Sequence, residues 1–158
     1  MLRTSSCIPS NRNKYYFECQ VQHHEIADWN RLGIGFTSNN DRINEDDPAK
    51  DPNTLGINFG YQGKLSTIQC GVGKEVENFP TVEDGDVIGF LLSNVQLDAV
   101  KLNVLQCFLN GSQIGFPLAG ESGDMYPSIW MSQAGSIVQC NLGQTKYEFM
   151  DLLGNSCQ

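Results

Sequence analysis

The sequence predicts an all-β protein: a two-sheet antiparallel β-sandwich with little or no helix. Three observations predict it. About ten short runs are rich in β-branched and aromatic residues and are bounded by Gly, Asn, Asp or Pro, as strands are. Apolar residues almost nowhere recur at the helical spacing. Asn110-Gly111 stands between two of the runs, a strong hairpin signal because both central residues of the tight turn need positive φ. With 158 residues, 40% of them apolar, the chain is long enough to bury a substantial core, and residues 1–158 are expected to form a single domain.

In chain order, Tyr15 to Gln22 alternates, placing Phe17, Cys19 and Val21 on one face and Tyr16, Glu18 and Gln20 on the other. Leu32 to Thr37 follows, with Ile34 and Phe36 inward. Then come Ile57 to Gln62, Ser66 to Cys70, Asp86 to Ser93 and Leu102 to Leu109. After the Asn110-Gly111 turn the runs are Gln113 to Leu118, Tyr126 to Met131 and Ile137 to Leu142, with Tyr147 to Phe149 the weakest candidate strand. Phe17, Ile34, Phe36, Val87, Leu91, Leu109, Ile129 and Val138 are the expected core between the sheets. Two connections are long. Ser38 to Thr54 is polar and acidic with two prolines, and such loops are usually functional or mobile; a solvated insertion without a role is the other reading. Gly71 to Gly85, punctuated by Gly73 and Pro80, is the second.

Ten basic against eighteen acidic residues leave a net charge of −8. A surface this acidic repels phosphate backbones and anionic lipid, which argues against nucleic acid and membranes as partners. No apolar run approaches the roughly 20 residues of a membrane span, and the first residues lack the apolar stretch of a signal peptide. The six cysteines are scattered, no CxxC occurs, and His23 and His24 are the only histidines, so the paired ligands of a zinc site are missing. Four cysteines replace apolar residues inside strand-like runs. They read as buried, reduced thiols of a cytoplasmic or nuclear protein without disulfides.

The punctuated strands resemble the SPRY domain. Tyr15-Tyr16-Phe17-Glu18, Gly33-Ile34-Gly35-Phe36 and Gly60-Tyr61-Gln62-Gly63 carry the resemblance. Downstream, Gly85-Asp86-Val87-Ile88-Gly89, Phe108-Leu109-Asn110-Gly111 with Gly115, Tyr126-Pro127 and Asn141-Leu142-Gly143 follow in the family's order, so the match spans Tyr15 to about Phe149. Within the family the chain is most similar to the Ran-binding-protein-M branch. It departs from the pattern in two respects. Gln62 stands where the family usually has His, and only 14 residues precede Tyr15, so the chain is either part of a longer protein or a short version. No PRY-like extension precedes the match.

Catalytic readings find little to rest on. No GxSxG occurs and no Gly-rich loop opens a helix, so neither a nucleophile elbow nor a phosphate cradle is read. Glu45-Asp46-Asp47 lacks the alternating spacing and the Gly of a calcium loop. No enzyme, cofactor or metal is expected. The resemblance implies instead a non-catalytic protein-interaction module that recognises a short peptide or partner surface, as part of a scaffold or ubiquitin-ligase assembly. It also implies that the loops at one end of the sandwich bind: Ile26 to Arg31, Ser38 to Thr54 and Ser132 to Gly135. The candidate binding residues are Asp28, Trp29, Asn30, Arg42, Asn44, Tyr61, Trp130, Ser132 and Gln133. Trp29 sits where no strand alternation requires an aromatic; it is read either as a hot-spot anchor or as a cap folded onto the sandwich. Trp130, between inward Ile129 and Met131, points away from the core. It needs either a cover, with the C-terminal tail the favoured one, or a partner groove beside Ser132 and Gln133. The alternative function is lectin-like carbohydrate binding, because the SPRY sandwich is similar to legume-lectin folds and Trp29 and Trp130 offer aromatic platforms.

Overall fold

Eleven antiparallel strands build the observed architecture, seen in a computed structural model that describes residues 2–8, 13–23, 32–38, 54–59, 65–69, 72–75, 80–131 and 137–149. They are β1 Leu2–Arg3, β2 Lys14–His23, β3 Leu32–Ser38, β4 Leu55–Phe59, β5 Leu65–Gln69, β6 Val72–Glu75, β7 Val87–Leu97, β8 Val100–Leu109, β9 Ser112–Glu121, β10 Met125–Met131 and β11 Ile137–Asn141. One sheet has the order β1-β10-β3-β4-β5-β6, the other β11-β2-β7-β8-β9. This is the two-sheet β-sandwich that the sequence predicts, and no helix occurs among the described residues.

The strands form where alternation gives each sheet an apolar inner face. Phe17, Cys19 and Val21 of β2 meet Leu32, Ile34 and Phe36 of β3 and Leu55, Ile57 and Phe59 of β4 in one core. Phe17 joins the sheets: its ring stacks on Phe90 of its own sheet, centroids 4.9 Å apart, and meets Phe36 of the other edge-on at 5.2 Å. Leu109, Ile129 and Val138 pack against this core while half-buried. The Asn110-Gly111 turn closes β8 onto β9 with φ of 47° and 80°, as its sequence requires. Asn110 also accepts the Val87 N–H and donates to Asp86, which ties the hairpin to the start of β7.

Several expectations are corrected. Val87 and Leu91 are buried, but not between the sheets. The register pairs Phe17 with Phe90 and Cys19 with Ile88, so Ile88, Phe90 and Leu92 face the core, and Leu91 packs outside with Tyr16 and Phe108. Val87 shares the outward face of Leu91 by alternation. The run from Val87 to Leu92 is apolar on both faces apart from Gly89, which leaves its inward phase undetermined by sequence. Tyr147 to Phe149 is not a strand. Its backbone N–H groups at Glu148 and Phe149 go instead to the Glu18 carboxylate, both at 2.8 Å. The Gly71 to Gly85 connection holds a short edge strand, β6, and β1 at the opposite edge was likewise not foreseen.

The expectation of no disulfides is also overturned. β11 pairs with β2 so that Cys140 lies opposite Cys19, Cα atoms 4.2 Å apart, and the two are bonded. A separation of 121 residues gives spacing arguments no purchase on such a pair. Cys7 and Cys107 carry free thiols, and burial pushes the Cys107 thiol up to about 12, which leaves it inert. Cys70 and Cys157 lie outside the described residues.

Among the described residues β9 is the last strand of its sheet, and its backbone is irregular, as suits an edge. Opposite the single Gln106, β9 bulges through residues 115–117, and Pro117 removes a donor there. The bulge turns Phe116 outward, 86% exposed.

Candidate functional site

The candidate site is built on the outer face of the six-stranded sheet, where Trp130 lies. Strand alternation sends Ile129 to the core and Trp130 away from it, as the sequence predicts. Its neighbours across the sheet explain how so large a side chain fits. Trp130 pairs with Gly33, Gly33 with Asn58, and Gly56 with Ile68. The indole lies over the two glycines: a Cβ on Gly33 would overlap its ring, and one on Gly56 would sit 2.9 Å from Cη2. Nε1 donates to Asn58 Oδ1 at 2.8 Å, and Ile68 packs against the ring. Trp130 is only 5% exposed and Ile68 is not exposed at all. Asn58, Gly33 and Gly56 thus hold the tryptophan in one orientation. Gly33 is legible in the sequence as a place of close approach, whereas Asn58 and Gly56 carry no local signature because the contact crosses strands. The C-terminal tail expected to cover Trp130 lies outside the described residues.

Small polar residues share this face and are buried as well. Thr37, Thr54, Asn58 and Ser128 are all buried, with the Thr37 and Ser128 hydroxyls hydrogen-bonded at 2.8 Å. Ser128 also donates to the Tyr126 carbonyl at 2.9 Å. Beside them the Arg3 guanidinium stands 4.5 Å over the Tyr126 ring, a cation–π contact at the sheet edge.

Of the nine candidate binding residues, Trp130 alone is described; Asp28, Trp29, Asn30, Arg42, Asn44, Tyr61, Ser132 and Gln133 lie outside the described residues. The ends of the described strands nevertheless divide the expected loops into two groups. Leu32 pairs with both Phe59 and Met131, so the chain enters β3 and leaves β4 and β10 at one end of the sheet. Residues 24–31, 60–64 and 132–136 are therefore anchored together, next to Trp130 and Asn58. Ser38 pairs with Met125 at the other end, and Leu55 pairs with Phe36 there. The acidic connection is thus anchored at the far end of the same sheet. The expectation that three loops share one end holds for the anchors of two, with the Tyr61 turn as the third member.

Among the described residues no group of three or more His, Cys, Asp or Glu side chains comes together to hold a metal. No helix among them is long and apolar enough to cross a membrane.

No family model matches the chain. It is 28% identical over 148 residues to the Ran-binding proteins 9/10 homolog of Drosophila melanogaster, covering 94% of this chain and 14% of that protein. It is 27% identical over 150 residues to Ran-binding protein 9 of Homo sapiens, covering 94% of this chain and 18% of that protein. SPRY domain-containing protein 7 of Bos taurus is 27% identical over 147 residues, covering 89% of this chain and 65% of that protein. These similarities support a SPRY-like family. The chain spans at most a quarter of the Ran-binding relatives it matches.

Proposed function

We propose that this chain is a SPRY-type, non-catalytic module that binds a short peptide or a partner surface. The observation that carries the reading is the similarity, across 94% of the chain, to proteins named for binding Ran. Its two-sheet scaffold supports the same reading, since a rigid sandwich presents loops whose side chains can vary without disturbing the core. The recognition surface is the end of the six-stranded sheet where residues 24–31, 60–64 and 132–136 are anchored. Trp130, fixed by Asn58, is its floor, and Asp28, Trp29, Asn30, Tyr61, Ser132 and Gln133 supply the contacts. Glu45, Asp46 and Asp47 in the acidic connection, anchored at the far end of the sheet, act at longer range by steering a basic ligand at low salt. A place in a scaffold or ubiquitin-ligase assembly, acting in the cytoplasm or nucleus, completes the proposal.

A pull-down with this chain as bait, followed by mapping the captured protein to a short peptide, supplies the ligand for a quantitative test. Trp29→Ala is expected to weaken that peptide by roughly tenfold or more, as truncation of an aromatic anchor does. Neutralising Glu45, Asp46 and Asp47 together is expected to slow association at low salt and to have little effect at high salt, because exposed charges are screened beyond about 8 Å at physiological ionic strength. Unchanged affinity and unchanged association rate in both variants would contradict the proposal.

A further inference from the structure

The sandwich is open along one side, between the β1–β10 edge of one sheet and the β11–β2 edge of the other. A cleft of about 280 Å³ occupies the opening, lined chiefly by Phe17, Pro127, Ile129, Cys140 and Leu142, with exposed Arg3 beside it. The Cys19–Cys140 bond sits at this cleft, and its two sulfurs differ in surroundings. Cys19 is fully buried in β2, whereas Cys140 is half-buried on an edge strand and lines the cleft. A small thiol entering the cleft meets Cys140 first.

Among the described residues strand β11 has one pairing neighbour, β2. Two further devices hold the chain beyond it to that strand. On the inner face the disulfide crosses from Cys140 to Cys19. On the outer face Glu18 accepts the Glu148 and Phe149 N–H groups, and the Tyr147 hydroxyl donates to the Tyr16 carbonyl at 2.8 Å. Ile137, at the start of β11, is also where the 132–136 connection, having left β10 of the six-stranded sheet, enters the five-stranded one.

We propose that the Cys19–Cys140 disulfide is a thiol-addressable latch that fixes edge strand β11, and with it the anchor of the 132–136 connection. In the opening reaction the thiolate of a small thiol such as glutathione attacks the Cys140 sulfur. A mixed disulfide forms on Cys140, the Cys19–Cys140 bond breaks, and Cys19 leaves as a thiolate that takes a proton from water. A second small thiol then attacks the mixed disulfide, releasing Cys140 as a thiol. Two molecules of small thiol are oxidised to one disulfide while the protein bond is reduced to two thiols. Opening removes the one covalent tie on β11 and leaves its ladder to β2, so the strand is held at the low-stability end of the sheet. A latch of this kind suits a reducing compartment, where disulfides serve as redox-responsive elements. Only its effect on partner binding rests on the function proposed above; the latch itself does not.

Hydrogen exchange and disulfide mapping on the full chain test it. Chain purified without reductant is expected to yield a Cys19–Cys140 crosslinked peptide, and brief glutathione treatment to place the mixed disulfide on Cys140. Reduction is expected to speed amide exchange across residues 137–149 by roughly tenfold or more, while residues 100–121 keep their protection. Cys140→Ser is expected to show the fast pattern without reductant and no further response to it. If that variant fails to fold, Cys19→Ala/Cys140→Ala, which keeps both positions free of unpaired polar groups, gives the same readout. Absence of the crosslink, or equal exchange of residues 137–149 in oxidised and reduced protein, would overturn the proposal.

Discussion

Phe17→Ala is expected to lower the free energy of unfolding by about 3–5 kcal/mol, the range for removing a buried phenylalanine. Phe17 is nearly inaccessible to solvent and touches both sheets, stacked on Phe90 and edge-on to Phe36. Truncation opens a cavity between two backbones that are each held by their own ladder, and neither sheet can move far enough to fill it. The loss therefore combines the lost transfer energy with the cavity term. Urea unfolding followed by circular dichroism measures it. A loss below about 1 kcal/mol would mean that the two sheets do not meet at Phe17.

Glu18→Ala is expected to cost on the order of 2–4 kcal/mol, because it strands several donors at once. Glu18 is only 4% exposed, although it sits on the outward face of its sheet. Its Oε1 accepts the Tyr16 hydroxyl at 2.9 Å and the Phe149 N–H at 2.8 Å, and its Oε2 accepts the Glu148 N–H. Removing the carboxylate leaves two amides and a phenol facing an apolar wall of Tyr16, Leu91, Phe108 and Tyr147. Glu18→Gln retains one acceptor and turns an amide NH2 toward a donor, so an intermediate loss is expected. The measurement is urea unfolding paired with amide exchange at Glu148 and Phe149. Equal stability of Glu18→Ala and the parent chain would contradict this account of the segment.

What could be read from the sequence follows from how local each signal is. Alternation in Tyr15 to Gln22 assigns both faces of β2 correctly, because one face is apolar and the other holds Tyr16, Glu18 and Gln20. The Asn110-Gly111 turn declares itself through the positive φ it needs. Val87 to Leu92 does not, since a run apolar on both faces can be placed in either phase. β1 and β6 are short edge strands with almost no pattern to read. Trp130's outward direction was legible, but its partner Asn58 lies 72 residues away across two strand pairings. The same reason hides Cys19–Cys140. The grouping of loop anchors was hidden as well, because only the register of β3 with β4 and β10 shows which connections leave from the same end.

The proposed function places recognition of a protein ligand at the end of the six-stranded sheet beside Trp130. The most direct test titrates the mapped peptide into isotope-labelled chain and follows backbone and indole resonances. The Trp130 Nε1–H signal and the amides of residues 26–31, 60–63 and 132–135 are expected to shift together, saturating at one peptide per chain. Shifts confined to β9 and residues 141–149, with the Trp130 indole and those loops unmoved, would contradict it.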